Sequence, residues 1–277
     1  MLHRTGTFRG TDNCNLFYQY YLPAVSPRAV LFLAHGISEH SGRYAGLSQF
    51  LASQGVAVFG FDYRHHGRSE GEKGRMDRFS HILDDFSNFL DIIRDVCPGK
   101  KIFLLGHSMG ASLSLAYTQK AQSGLAGLVL SGTPLRSLPS VPVAVIGCLY
   151  PLVLLTPNLG FYKLKSSTLS RDPQIVTGYD NDPLVFRGKL ACSLIISFMW
   201  TLHKIESKLN DIKIPVLILH GDQDSLCSPK GSEIVFNSIG SKEKTHIPYK
   251  GLYHEILNEP EKEKVYADIL TWLNERI

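Results

Sequence analysis

One stretch constrains this chain more than any other: Lys101 to Leu113, KIFLLGHSMGASL. An apolar run ends in G-x-S-x-G, and a helix-like run follows. A serine at a tight strand-to-helix turn has its Oγ pushed into the open at the end of a sheet. The next backbone N–H then sits at a helix N-terminus, ready to bind an oxyanion. Glycine suits positions 106 and 110 because neighbouring backbone comes close there and a Cβ would clash. Ser108 is therefore a candidate nucleophile; the plainer alternative is a tight structural turn.

The rest of the chain supplies the sheet such a turn requires. Residues 7–22 read as two strands around a turn at Gly10–Asn13. Ala29–Ala34 and Val56–Phe61 are continuous apolar runs, as expected of strands buried on both faces. Between them a helix is expected over Tyr44 to Gln54. Asp77 to Asp95 has helical apolar spacing, with Asp77 as its cap and Pro98-Gly99 as its stop. The strand Ile102–Leu105, the helix Met109–Gln122 and a strand at Leu125–Ser131 follow. The alternation resumes at Val216–Leu219, with a helix near Pro229–Ser238, a strand near Lys244–Tyr249 and a last helix from Glu261 to Arg276. This pattern predicts an α/β fold with a doubly wound, mostly parallel sheet. Such sheets bind ligands at the carboxyl ends of their strands. Between Pro134 and Asn210 the alternation stops, and that stretch reads as helices and loops capping the active end. The expected division is thus a core of residues 1–133 and 211–277 with a cap or lid insertion over 134–210.

Composition narrows the functional classes. A chain of 277 residues with a net charge of only +4 and no basic cluster interleaved with aromatics gives no case for nucleic acid. Its five cysteines are odd in number and show neither C-x-x-C nor zinc spacing, which favours a reducing, cytoplasmic setting. No signal peptide is read at the N-terminus. The longest apolar stretch, Val141 to Leu155, is broken by Pro142 and Pro151 and falls short of the ~20 residues a spanning helix needs. No metal and no cofactor is implied: H-E-x-x-H is absent, and the histidines are not paired at ligand spacing. The oligomeric state is not legible.

A serine hydroxyl is a poor nucleophile at neutral pH. It needs a base within hydrogen-bond reach, and the base needs an orienting acid. In a sheet of this kind the chain order is serine, acid, histidine. Asp222 and Asp224 both follow the strand ending at Leu219; Asp224 is preferred because it lies further into the loop, leaving Asp222 as a loop cap. Of eleven histidines, His254 is the one in the last strand-end loop and is the candidate base. His107 is expected to pack beside the turn, His35 to shape the oxyanion loop, and His65 and His66 to make loop contacts. The oxyanion donors expected are the N–H groups of Met109 and of the His35-Gly36-Ile37 loop, chiefly Ile37.

With these residues in place, the sequence resembles the monoacylglycerol lipase family of α/β-hydrolases, related to the lysophospholipases. The resemblance is carried by His35 to Tyr44 (the H-G-x-x-E-H-x-x-R-Y segment), Asp62 to Gly71, Gly106 to Gly110, Asp182-Pro183-Leu184 and Gly221 to Cys227. It implies a triad of Ser108, Asp224 and His254, oxyanion donors at Ile37 and Met109, and a loop ordered by Glu39 and Arg43 beside the polar end of the pocket. It also implies that Tyr179 faces a glycerol head group and that Cys227 is a wall residue. His65 stands where the family usually has glycine, and Leu257 where close mammalian-type members place a second histidine.

The expected activity is serine hydrolysis of monoacylglycerols, with a small lipid as substrate. The apolar face of Val141–Leu155 is expected to make peripheral membrane contact, as amphipathic segments lying in the interface do. Lysophospholipase, general carboxylesterase and acyltransferase activities share the same triad. Haloalkane dehalogenases and epoxide hydrolases use aspartate where Ser108 stands. A non-catalytic lipid-binding homologue is the reading from a different class.

Overall fold

The computed structural model describes residues 1–75, 78–135 and 159–277. Eight strands of these residues form one sheet: β1 (Leu2–Arg9), β2 (Asn15–Leu22), β3 (Ala29–Ala34), β4 (Val56–Phe61), β5 (Ile102–His107), β6 (Gly127–Ser131), β9 (Val216–Gly221) and β10 (Lys244–Tyr249). Their spatial order is β1-β2-β4-β3-β5-β6-β9-β10. β1 and β2 pair antiparallel with each other, and β2 pairs antiparallel with β4; the remaining pairs are parallel.

The unbroken apolar strands have a simple cause. Along β3, Val30, Phe32 and Ala34 point into one core cluster, and Ala29, Leu31 and Leu33 into the other. Alternation sends side chains to opposite faces, and both faces are covered. Each fully buried Phe or Leu here contributes roughly 1.5–3 kcal/mol of transfer free energy. Helices α2 (Phe79–Val96) and α3 (Met109–Ala121) cover the first face; α1 (Ala45–Ser53) and the last helix of the chain (Lys262–Asn274) cover the second.

On α2, Phe79, Ile82, Phe86, Phe89, Leu90 and Ile93 form the buried stripe. Asp85 is also buried, and Arg64 Nε and Nη2 donate to its two oxygens over 3.0 and 3.1 Å. Thr11 N–H donates to Asp85 as well (2.7 Å), which fastens the β1–β2 turn to α2. The helix begins at Phe79, with Arg78 at the N-cap making no side-chain bond; the expected cap, Asp77, lies outside the described residues.

Between β6 and β9 the described residues hold α4 (Pro173–Asn181), α5 (Cys192–Ser207) and a two-stranded antiparallel sheet of β7 (Gly160–Tyr162) and β8 (Leu190–Ala191). The pattern predicted helices and loops here, and the small sheet was not foreseen. Strands of three and two residues are too short to show alternation. Asp172 caps α4, its side chain accepting from Gln174 N–H over 2.8 Å, with Pro173 at the first helical position. α5 lays Leu194, Ile195, Phe198, Leu202 and Ile205 onto the cluster beneath α2 and α3, where Phe79 and Phe198 stack. Val141–Leu155 lies outside the described residues. Among the described residues no helix is long and apolar enough to cross a membrane.

Candidate active site

Ser108 stands between the last residue of β5 and the first of α3, at φ 55° and ψ −120°. That conformation is strained for a residue with a Cβ and persists because its surroundings over-determine it. Ser108 N–H donates to Ser131 O on β6 (2.8 Å), and its carbonyl accepts from Ala111 N–H (2.9 Å). The flanking glycines are enforced by contact. A Cβ on Gly110 would lie 2.1 Å from Ala34 O, and one on Gly106 2.3 Å from Gly110 O. Both obstacles are backbone, so neither can step aside.

Asp224 and His254 reach the same corner from the loops after β9 and β10. His254 Nδ1 lies 2.7 Å from Asp224 Oδ2. With Nδ1–H donating to the carboxylate, Nε2 is left to receive a proton. Asp224 Oδ1 accepts from the backbone N–H groups of Leu226 (2.9 Å) and Cys227 (2.8 Å). Its Oδ2 also lies 3.0 Å from His220 Nε2, a partner that sequence reasoning did not single out. His220 Nε2 also faces Cys227 O (3.0 Å), and His220 Nδ1 lies 2.6 Å from Ser232 Oγ. With two acceptors at Nε2, that nitrogen carries the proton. Asp222 makes a different contact: it accepts from Gly251 N–H (2.7 Å) and holds the turn after β10.

The charges follow from this packing. Burial opposes ionisation of Asp224, but the His254 charge and the hydrogen bonds from His220 and His254 outweigh it, holding the carboxyl far below its ordinary range. Burial likewise works against a protonated His254, yet the Asp224 carboxylate, and after it Cys227, raise it well above its ordinary value. His107 packs against His254 with ring centroids 4.7 Å apart. Burial and the nearby His254 push His107 down to about 3, so it is neutral, and its Nδ1 lies 3.1 Å from Ser131 Oγ.

The loop after β3 passes the other side of Ser108. His35 is fully buried and pinned. Its Nδ1 faces Gly36 O (2.8 Å), Tyr63 N–H donates to its Nε2 (3.1 Å), and its ring stacks on Tyr63. It shapes the loop and has no nitrogen left for proton transfer. Gly36 N–H is taken by Glu39 Oε1 (2.6 Å). Ile37 and Met109 flank Ser108 in the wall of the same cavity. Met109 opens α3, so its N–H has no carbonyl one turn back to donate to. The loop is tied to the segment after α4. Phe186 N–H donates to Ser38 O (2.9 Å), and His40 Nε2 lies 2.8 Å from Asp182 Oδ2.

Beside this loop lies a buried charge network. Arg43 Nη1 donates to Glu39 Oε2 (2.8 Å) and Glu255 Oε1 (2.5 Å), and Nη2 to Glu255 Oε2 (2.8 Å). Tyr44 OH donates to Glu39 Oε1 (2.6 Å). The guanidinium sits over the Tyr179 ring, 4.8 Å from its centroid. Burial raises the Glu39 carboxyl despite Arg43; for Glu255, Arg43 outweighs burial and the carboxyl is lowered. Glu255 is a second residue that sequence reasoning missed. Its one visible signal was its place directly after the candidate base. Leu257 packs into the core cluster with Tyr44, Leu47 and Tyr266, and lines neither of the cavities described next. His65 takes φ 65°, a left-handed conformation that glycine adopts without penalty.

Two cavities meet at Ser108. One, about 520 Å³ with its open mouth, is walled by Ile37, Met109, Tyr162, Ile195, Phe198 and Cys227 among others, and is almost wholly apolar. The other, about 230 Å³ with its open mouth, is lined by Glu39, His107, Tyr179, His254 and Glu255 together with apolar residues. Ser108, Ile37, Leu164 and Leu226 belong to both. Asp224, Cys227 and His254 also place one ligand atom each within 4.8 Å of one another, a donor set able to take a soft divalent ion. Both Asp224 oxygens are already engaged by the protein donors named above.

Comparison with known proteins places this geometry in context. A family model described as "Serine aminopeptidase, S33" matches residues 25–261. The chain is 31% identical to the monoacylglycerol lipase of Mycolicibacterium smegmatis, over 96% of this chain and 95% of that one. It is 34% identical to human monoglyceride lipase, over 96% and 88%. The crystal structure of Paleococcus ferrophilus monoacylglycerol lipase superposes with a TM-score of 0.83 at 31% identity, covering 95% of this chain and 99% of that one. A carboxyl esterase from Bacillus coagulans in complex with glycerol shares the fold, with a TM-score of 0.90 at 23% identity over 100% and 99%.

Proposed function

The chain belongs to the monoacylglycerol lipase family within the α/β-hydrolases and is a serine ester hydrolase, and from that premise we propose that it cleaves monoacylglycerols to a fatty acid and glycerol through an acyl-enzyme on Ser108. The observation that carries this reading is the meeting, at one serine, of an apolar cavity and a smaller one whose wall includes Glu39, Tyr179 and Glu255. An ester with a long apolar acyl chain and a small polar alcohol has that shape: the chain enters the cavity of Ile195 and Phe198, and the head group the cavity of Glu39 and Tyr179.

In the proposed mechanism Ser108 Oγ attacks the ester carbonyl while His254 Nε2 takes its proton. Asp224 holds His254 in the Nδ1–H tautomer and stabilises the imidazolium. The N–H groups of Ile37 and Met109 receive the oxyanion. His254 then protonates the departing glycerol oxygen, and after glycerol leaves it activates water, which releases the fatty acid and restores Ser108. Glu39 and Arg43 keep the oxyanion loop in place through the Gly36 N–H bond, and Tyr179 meets the head group.

Residues 134–210 form the cap in this reading. The cap rests on the core through α5 and on the oxyanion loop through Asp182 and Phe186, and it makes the peripheral membrane contact that admits the lipid. A cytoplasmic setting follows from the scattered cysteines. The test is a panel of monoacyl-, diacyl- and triacylglycerols of graded chain length, run beside Ser108→Ala. Long-chain monoacylglycerol is expected as the preferred substrate and Ser108→Ala as inert but folded. Preference for acetate-sized chains, or retained turnover in Ser108→Ala, overturns the reading.

A further inference from the structure

Arg43 lies over the ring of Tyr179, which lines the head-group cavity, and its charge is spoken for. Both terminal nitrogens donate to carboxylates, Nη1 to Glu39 and Glu255 and Nη2 to Glu255, over 2.5 to 2.8 Å. Two carboxylates around one guanidinium leave no uncompensated positive charge. Of the rings lining the cavity, His107 is neutral, and any charge on His254, which Asp224 raises well above its ordinary value, is matched by that carboxylate 2.7 Å away. What the cavity does offer is hydrogen bonding to neutral groups. Glu39 and Glu255 line it as acceptors. The Tyr179 hydroxyl is buried in its wall with no hydrogen-bond partner among the described residues. A buried hydroxyl left unmatched costs free energy until a ligand meets it.

We infer that Glu255 is a specificity-determining residue: by claiming Arg43 beside Glu39, it makes the head-group cavity a site for a neutral polyol and closes it to a head group bearing a phosphate. Glu255 does this from a position next to the base. Its own N–H donates to Leu169 O (2.8 Å), and Asn258 Nδ2 donates to its Oε2 (2.9 Å), so its carboxylate is fixed towards Arg43 rather than free to swing away. A phosphate entering the cavity meets two carboxylates, and the Nη1–Nη2 edge of Arg43, which could bind it bidentately, is already held by Glu255. A polyol hydroxyl finds carboxylate acceptors and the Tyr179 hydroxyl. The inference rests on the proposed function and names what that same site refuses.

The experiment compares a monoacylglycerol with its 3-phosphate ester of the same acyl chain. Values of kcat/KM are normalised to the Ser108 that a fluorophosphonate labels, so that only folded enzyme is counted. The wild type is expected to prefer the neutral substrate by about 100-fold or more, because like-charge juxtaposition weighs heavily in a buried site. In Glu255→Gln one carboxylate charge is gone and Arg43 is partly released, so the preference is expected to fall by about tenfold or more, through faster turnover of the phosphate ester. Glu39→Gln is expected to move the ratio the same way and serves if Glu255→Gln yields no labelled Ser108. An unchanged ratio in labelled variants, or a wild type equally fast on both esters, overturns the inference and leaves the proposed function standing. A wild type inert towards the neutral monoacylglycerol overturns the proposed function and this inference with it.

Discussion

His220 donates through Nε2 to Asp224 Oδ2 over 3.0 Å, onto the same oxygen that His254 uses at 2.7 Å. One carboxylate oxygen therefore serves two imidazoles. His220 is itself braced by Ser232 Oγ at 2.6 Å. It lines neither cavity, so its influence on the proposed reaction runs through Asp224 and the Cys227 carbonyl.

His220→Leu removes that donor. A lost hydrogen bond to a charged group is worth about 1.5–3 kcal/mol, so a ten- to hundredfold fall in kcat is expected, with KM little changed. The freed carboxylate attracts the His254 proton more strongly, so the acid limb of the rate profile should move to higher pH. His220→Gln places an N–H close to the lost Nε2–H and should restore most of the rate. A His220→Leu enzyme with a normal pH profile would assign His220 to packing alone.

The pH dependence of the wild type follows from the pair of His254 and Asp224. In the proposed mechanism His254 must be neutral at Nε2 to accept the serine proton, so kcat/KM is expected to rise as pH rises through its pKa. Burial lowers that value, but Asp224 raises it more, to well above the ordinary 6.5. The acid limb is therefore expected above 6.5. Asp224→Asn removes the charge that raises it: the limb should move down, and kcat should fall by about four orders of magnitude, as such changes do in other serine hydrolases. Steady-state profiles of both enzymes check this.

Arg43→Met should destabilise the fold more than a surface change does. It strands Glu39 and Glu255, each 3% exposed, without their cation. Breaking a buried ion pair by removing one partner costs about 3–5 kcal/mol, measurable as a lowered urea midpoint. The loss should shrink in acid, where protonation of the two carboxyls removes their charge.

Gly110→Ala tests the turn itself. The new methyl would lie 2.1 Å from Ala34 O and 2.5 Å from His35 O. Neither carbonyl can move without displacing the oxyanion loop. Overpacking of this kind costs about 1–3 kcal/mol, and the activity lost should exceed what that stability change explains, because Ile37 lies on the displaced loop. A calorimetric unfolding scan beside an esterase assay separates the two effects.

Much of this was legible in the chain. The apolar runs of β3, β4, β5, β6 and β9 announced a sheet covered on both faces, because a strand without a polar face has no other place to go. G-x-S-x-G between a strand and a helix singled out Ser108 as the candidate nucleophile, and the last strand-end loop singled out His254 as the candidate base, because the order of strands along the chain is visible. Position in the loop and the family resemblance favoured Asp224 over Asp222, though both follow the same strand; the fold turns Asp224 towards His254 and Asp222 towards Gly251. The charge network escaped as well. Arg43 and Glu255 are 212 residues apart and meet only because the loops after β3 and β10 end on one edge of the core. His220 escaped because a histidine closing a strand looks the same whether it packs or donates. Local periodicity and local turn chemistry belong to the sequence by itself, and they determined the sheet, the turn and the class of chemistry. Which buried groups share a proton, and which charges cancel, depends on distances between remote segments; only the tertiary structure decided those.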